Sequence, residues 1–111
     1  MRIVNLLSQL GVPVYRQGSI AADQEYPDKF ITYWQRTSSD PSAFDNRYAS
    51  HSVTTDINAY AHDPDVAEEL LGRAIRLLRI AGYVVPGIGY DLRTDEPSVI
   101  GRGVEASLRI N

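Results

Sequence analysis

SHSVTTDINAYA (residues 50–61) and DPDVAEELLGRAIRLLRIAG (residues 63–82) follow one another almost directly, and the hydrophobic period changes between them. The first stretch alternates. Val53, Thr55, Ile57 and Ala59 point one way, and Ser52, Thr54, Asp56, Asn58 and Tyr60 point the other, the signature of a half-buried strand with a polar face. The second has helical spacing. Asp63 is placed as N-cap and Pro64 at the first helical position, while Asp65, Glu68 and Glu69 bring negative charge to the positive end of the helix dipole. Val66, Ala67, Leu70, Leu71, Ala74, Leu77, Leu78 and Ala81 form one broad apolar face, opposite Glu68, Gly72, Arg76 and Arg79. Arg73 lies at the edge, within i+4 reach of Glu69, and Gly82 suits the C′ position. A helix from about Pro64 to Ala81 is predicted.

Working outward, Ile3, Leu6, Leu7 and Leu10 make one helical face that Gly11 and Pro13 end. Val14 and Tyr15 begin a first strand, and Gly18 to Asp28 is polar and loop-like. KFITYWQRT (residues 29–37) is aromatic and β-branched between Pro27 and SSDPS, and predicts a strand. Ser38 to Ala49, with its Asp40-Pro41 and Asp45-Asn46 pairs, reads as a substantial loop. Tyr83 to Arg93 carries a proline and two glycines and reads as an irregular edge strand; Asp95 to Pro97 make a turn. Val104, Ala106, Leu108 and Ile110 alternate with polar residues in a last half-buried strand. The order is α-β-β-β-α-β-β. One-sided alternation predicts an α+β domain spanning residues 1–111: a small mixed, mostly antiparallel sheet of four or five strands with both helices packed on one face. The other face is polar but rich in tyrosine, either plain exposed sheet or a contact surface.

Composition narrows the function classes. With 43% apolar and 23% charged residues, the 111-residue chain is globular rather than disordered. It has no cysteine, which excludes disulfides, thiolate metal sites and thiol nucleophiles. Its net charge of −3 disfavours a freestanding nucleic-acid binder, whose affinity comes mostly from neutralising phosphates. No apolar run approaches the roughly 18 residues of a membrane span, and the N-terminal stretch lacks signal-peptide character.

Catalytic chemistry finds little purchase. His51 and His62 flank the third strand at an odd separation, which sends strand residues to opposite faces, so they are read as surface or strand-end residues and no metal site is expected. Asp40 and Asp45 suit turns, and Asp56 suits a solvated strand face. GIGYDLR and GRG lack the strand–glycine–helix context of a phosphate loop, the second feeding directly into a strand. Arg73, Arg76 and Arg79, with Glu68 and Glu69 beside them, read as a salt-bridged solvated helix face. Phe30, Tyr33 and Trp34 alternate across a strand, so at least one stands outside the core. With Tyr48 and Tyr60 nearby, a protein–protein surface is expected, since such residues are enriched in binding hot spots.

The pattern also resembles a known family. A short N-terminal helix precedes GVPVY (residues 11–15), then PDKFITYW (27–34), SSD (38–40), FDNRY (44–48), a polar-alternating strand, and DPDVAEEL (63–70). This is similar to the tail-completion proteins of long-tailed bacteriophages and prophages, also called tail terminators or tail-to-head joining proteins. The likeness spans about Ile3 to Ile110.

The resemblance implies a non-enzymatic virion component with no cofactor and a small α/β sandwich fold. Such proteins assemble in the host cytoplasm into a hexameric ring at the head–tail interface. The ring caps the tail tube protein, meets a head connector or adaptor, and passes DNA through its lumen without specific binding; no membrane is involved. Cyclic closure needs two different patches per subunit. Tyr33 or Trp34, with Phe44, Arg47 and Tyr48, are the residues expected at subunit contacts, although Phe44 and Tyr48 alternatively pin their own loop. Two other readings remain: a head-completion or connector-adaptor protein of the same gene cluster, and a small ligand-binding domain or enzyme using Asp45, Asp56 and His51.

Overall fold

A computed structural model describes residues 3–17, 27–39, 51–94 and 98–110. In chain order the elements are α1 (Ile3–Leu7) continued by a 3-10 turn (Ser8–Leu10), β1 (Val14–Arg16), β2 (Lys29–Ser39), β3 (His51–Ala61), α2 (Pro64–Ile80), β4 (Tyr90–Leu92) and β5 (Ile100–Ile110). This is the α-β-β-β-α-β-β order read from the sequence. The five strands form one mixed sheet in the order β1-β2-β3-β5-β4, with β1 parallel to β2 and every other neighbour antiparallel.

The three long strands β2, β3 and β5 pair residue for residue along their whole length. Because side chains alternate, this register places Ile31, Ile57, Ala59, Val104 and Ala106 on one face, all buried. Both helices cover that face. α2 contributes Ala67, Leu70, Leu71, Ala74, Ile75 and Leu78 to the core. Ile75 is 5% exposed although the sequence reading left it out, and Ala81, assigned to the apolar face, is exposed. A five-residue helix such as α1 is too short to persist alone. It is held by burying Ile3, Leu6 and Leu7, at about 1.5–3 kcal/mol per buried aliphatic side chain.

The ends of α2 are chemically defined. The Asp63 carboxylate accepts a hydrogen bond from the Asp65 amide at 2.8 Å, and Pro64 opens the first turn. At the other end Gly82 has φ 98°. Its amide donates to the Arg79 carbonyl and the Tyr83 amide to that of Leu78, so the last carbonyls are satisfied by a Schellman closure.

Two boundaries differ from expectation. β5 begins at Ile100 rather than Val104, so the GRG segment lies inside the strand, and β2 runs on through Ser38 and Ser39. The rest of the expected 38–49 loop and the 95–97 turn lie outside the described residues. The irregular edge strand is confirmed and has a specific form. Val84 bridges Ser107 and β4 pairs with residues 101–103, so the five residues 85–89 stand against only 104–106 and form a bulge, with Val85 buried in the main core. The Arg79 guanidinium holds this bulge, donating to the carbonyls of Val85 (2.8 Å) and Gly87 (3.0 Å).

One inward residue does not match its surroundings. Thr55 is fully buried, and its hydroxyl has no hydrogen-bond partner among the described residues. Thr55→Val, which keeps the shape and removes the unpaired hydroxyl, is expected to raise unfolding stability by about 1 kcal/mol in chemical denaturation. Tyr83 gives a pH signature. Burial pushes its phenol above the ordinary value of 10.0, so the folded state favours the neutral form. Its contribution is fully present below that pH and is lost as pH rises through the folded value. Melting temperature should therefore fall on the alkaline side of about pH 10, and Tyr83→Phe should flatten that limb.

Candidate functional site on the open sheet face

The sheet face away from the helices divides into two halves. Towards the Lys29 end of β2 it covers itself. The Phe30 ring stacks on Tyr60 with centroids 4.9 Å apart, and Tyr15 meets Phe30 edge-on at 6.1 Å. Beneath them β5 carries Gly101 and Gly103 on this face. A Cβ on Gly101 would come within 2.8 Å of the Tyr60 ring, and one on Gly103 within 2.7 Å of Asn58 Oδ1. The glycines thus let neighbouring side chains lie flat on the strand. Asn58 is buried and donates to the Thr32 hydroxyl (3.3 Å) and to Gln17 Oε1 (3.2 Å). A face expected to be polar is, in this half, a second small core. Phe30 is only 3% exposed.

The other half is open. Register brings Trp34, Asp56 and Glu105 into one row across three strands, with Arg36, Thr54 and Ser107 in the next. Arg36 Nη2 reaches diagonally to Asp56 Oδ1 (3.1 Å) and Glu105 Oε1 (2.7 Å). The nearby Asp56 charge and the hydrogen bond to Glu105 raise the guanidinium pKa further. All three groups are solvated, so the arrangement orients charges more than it stabilises the fold. The Tyr90 phenol stands at the far edge of this cluster. Partial burial pushes its pKa up, as do the charges of Asp56 and Glu105, while Arg36 acts in the opposite sense. Around the charges three apolar side chains remain exposed: Trp34 (44%), Tyr90 (49%) and Val84, which shares the face of its bridge partner Ser107.

No protein-family model matches this chain, and no curated protein matches it in sequence. The site is therefore read from its own chemistry. It offers two carboxylates already engaged by an arginine, ringed by exposed aromatic and aliphatic groups. Such a surface suits recognition of another macromolecular surface. Among the described residues no group of three or more His, Asp or Glu is placed to hold a metal ion.

The sequence-predicted residues divide as follows. Trp34 lies on the open face, whereas Tyr33 is on the opposite side, packed against the main core. Phe44, Arg47 and Tyr48 lie outside the described residues, as do Asp40 and Asp45. Asp56 is held by Arg36, and His51 stands five positions away on β3, about 16 Å of strand. Asp56 and His51 are not brought together. His62 is an exposed residue just past the end of β3, with Nδ1 2.7 Å from the Ser98 carbonyl and Nε2 3.7 Å from Asp28 Oδ1. The arginine row of α2 is not the salt-bridged face expected. Arg73 donates to the Leu10 carbonyl (3.3 Å), and Arg79 holds the edge bulge.

Arg36, Tyr90 and Glu105 were not singled out as site residues by sequence reasoning. The signal available was the pair of glycines on the outward side of the last strand, which calls for large neighbours to cover them. Gly103→Ala tests that packing. Its methyl group would press on Asn58 Oδ1 and on the side chains of Leu92 and Tyr90, at 2.7, 3.1 and 3.2 Å. A loss of about 1–3 kcal/mol in denaturant unfolding is expected.

Proposed function

We propose that this chain is one segment of a structural ring at the tail–head junction of a long-tailed bacteriophage particle, assembled in the host cytoplasm. The sequence resemblance supports this reading, and so does the architecture, which has the expected element order and both helices on one sheet face. The observation that carries it furthest is the presence of two unlike outer surfaces on opposite sides of the molecule. One is the outer side of α2 and the other is the open sheet face with Trp34, Tyr90 and Val84 exposed. Heterologous contacts between unlike patches are what a closed ring requires.

Dimensions constrain how such a ring would pack. The chain extends 50 × 28 × 23 Å. Six copies in a ring lie one spacing from its axis, so copies meeting across the 28 Å axis would leave a hole of about 33 Å between backbones, and copies meeting across the 23 Å axis one of about 18 Å. Only the first is wide enough to pass a DNA duplex. The net charge of −3 favours passage over retention of phosphates. The long strands also outrun the helix layer. Eleven residues of strand span about 36 Å and the seventeen of α2 about 25 Å. The far ends of β2 and β3 are joined through residues 40–50, where Phe44, Arg47 and Tyr48 lie in the sequence. No helix of the described residues is long and apolar enough to cross a membrane.

Light scattering after size-exclusion chromatography and negative-stain imaging, with and without purified tail tubes, test the proposal. Rings of about six copies with a central hole, seated on tube ends, are expected. A monodisperse monomer at high concentration that ignores tail tubes would overturn it. Rings that bind connector complexes but never tube ends would assign the chain to the head side of the joint instead.

A further inference from the structure

The outer side of α2 carries Gly72, Arg76 and Ile80 in one stripe, spaced i, i+4 and i+8. Nothing lies within 4 Å of where a Cβ on Gly72 would be, and Ile80 is 84% exposed. Arg76 is exposed between them, with no ion pair or hydrogen bond to any described residue. Its neighbours in the row are occupied, Arg73 by the Leu10 carbonyl and Arg79 by Val85 and Gly87. The helix therefore presents one uncommitted cation beside one uncovered aliphatic side chain.

The open sheet face carries the complement. Asp56 and Glu105 share the single guanidinium of Arg36, which leaves one negative charge in excess, and Trp34 lies directly across the strand pair from Asp56. The spacings agree. Side chains four apart on a helix start about 6 Å from one another, and directly opposed residues on paired strands about 5 Å. The geometry points to a contact between two copies of this chain in which Ile80 of one packs on Trp34 of the next while Arg76 joins the Asp56–Glu105 pair. The two surfaces are on opposite sides of each copy, so the contact is head-to-tail and each copy can both give and receive it. This inference rests on the ring reading and specifies the surfaces that would close the ring.

The test uses the full chain and a charge exchange. Arg76→Glu alone and Glu105→Arg alone should each weaken assembly about thirtyfold or more, read as the concentration at which rings appear in light scattering. Both sites are exposed, so melting temperatures should stay within a few degrees of the parent protein. Combining the two substitutions places a glutamate opposite an arginine again and should recover rings. Ile80→Ser should weaken assembly without changing the net charge. If Arg76→Glu lowers the melting temperature instead, Arg76→Gln serves in its place, with a smaller loss of assembly expected. Rings unaffected by these substitutions, or two defective single variants whose combination fails to recover, would overturn the contact and leave the ring reading intact. A parent protein that never assembles, even with tail tubes, would overturn both.

Discussion

Everything in this molecule depends on the unslipped pairing of β2, β3 and β5. Strand side chains alternate with period two, so displacing any of the three by one residue would turn its apolar row to solvent and its polar row into the core. The residue-for-residue pairing fixes the platform of Ile31, Ile57, Ala59, Val104 and Ala106 on which α1 and α2 sit. It also fixes the far side, setting Arg36 one row from Asp56 and Glu105 and placing Gly101 beneath the Tyr60 ring. Core and surface site thus follow from the same hydrogen-bonded register.

The two sides of the sheet are built from different forces. On the helix side, burial of aliphatic groups dominates and tolerates little change in volume. On the open side, the half nearest Lys29 is secured by ring stacking and by the Asn58 hydrogen bonds, and the remainder carries a solvated charge cluster with Trp34, Tyr90 and Val84 exposed around it. Residues that contribute little to the stability of one copy are free to be chosen for contacts between copies. Trp34 is a large side chain left 44% exposed, and that exposure is more informative than that of a lone surface leucine.

Most of the fold was legible because the signals were local. The N-cap at Asp63, the helical period after it, the glycine beyond it and the strict alternation of β3 each lie within one segment, and each appears where the sequence placed it. What escaped was non-local. The phase of KFITYWQRT depends on its partner strands, so the sequence could not assign Tyr33 inward and Trp34 outward. Phe30, in sequence only one of three aromatics alternating across the strand, anchors a separate small core on the face opposite the helices, for which Gly101 and Gly103 on β5 are the clue. Ile75 lies at the margin of the helical stripe and is buried by the packing around it. The charged cluster draws on three residues far apart in sequence, and the long helix uses Arg73 and Arg79 on backbone carbonyls, which no spacing rule foretells.

The bulge at residues 85–89 has a meaning beyond shape. An outer strand normally offers a row of free amides and carbonyls that a second chain can extend, and such growth has no natural end. On this side Pro86 brings no amide donor, Gly87 and Gly89 turn the backbone through positive φ, and Arg79 occupies the carbonyls of Val85 and Gly87. A chain approaching along this margin meets a kink whose acceptors are already taken. The molecule is thereby guarded against fibre-like growth at one rim of its sheet, while its broad faces remain free to meet other surfaces.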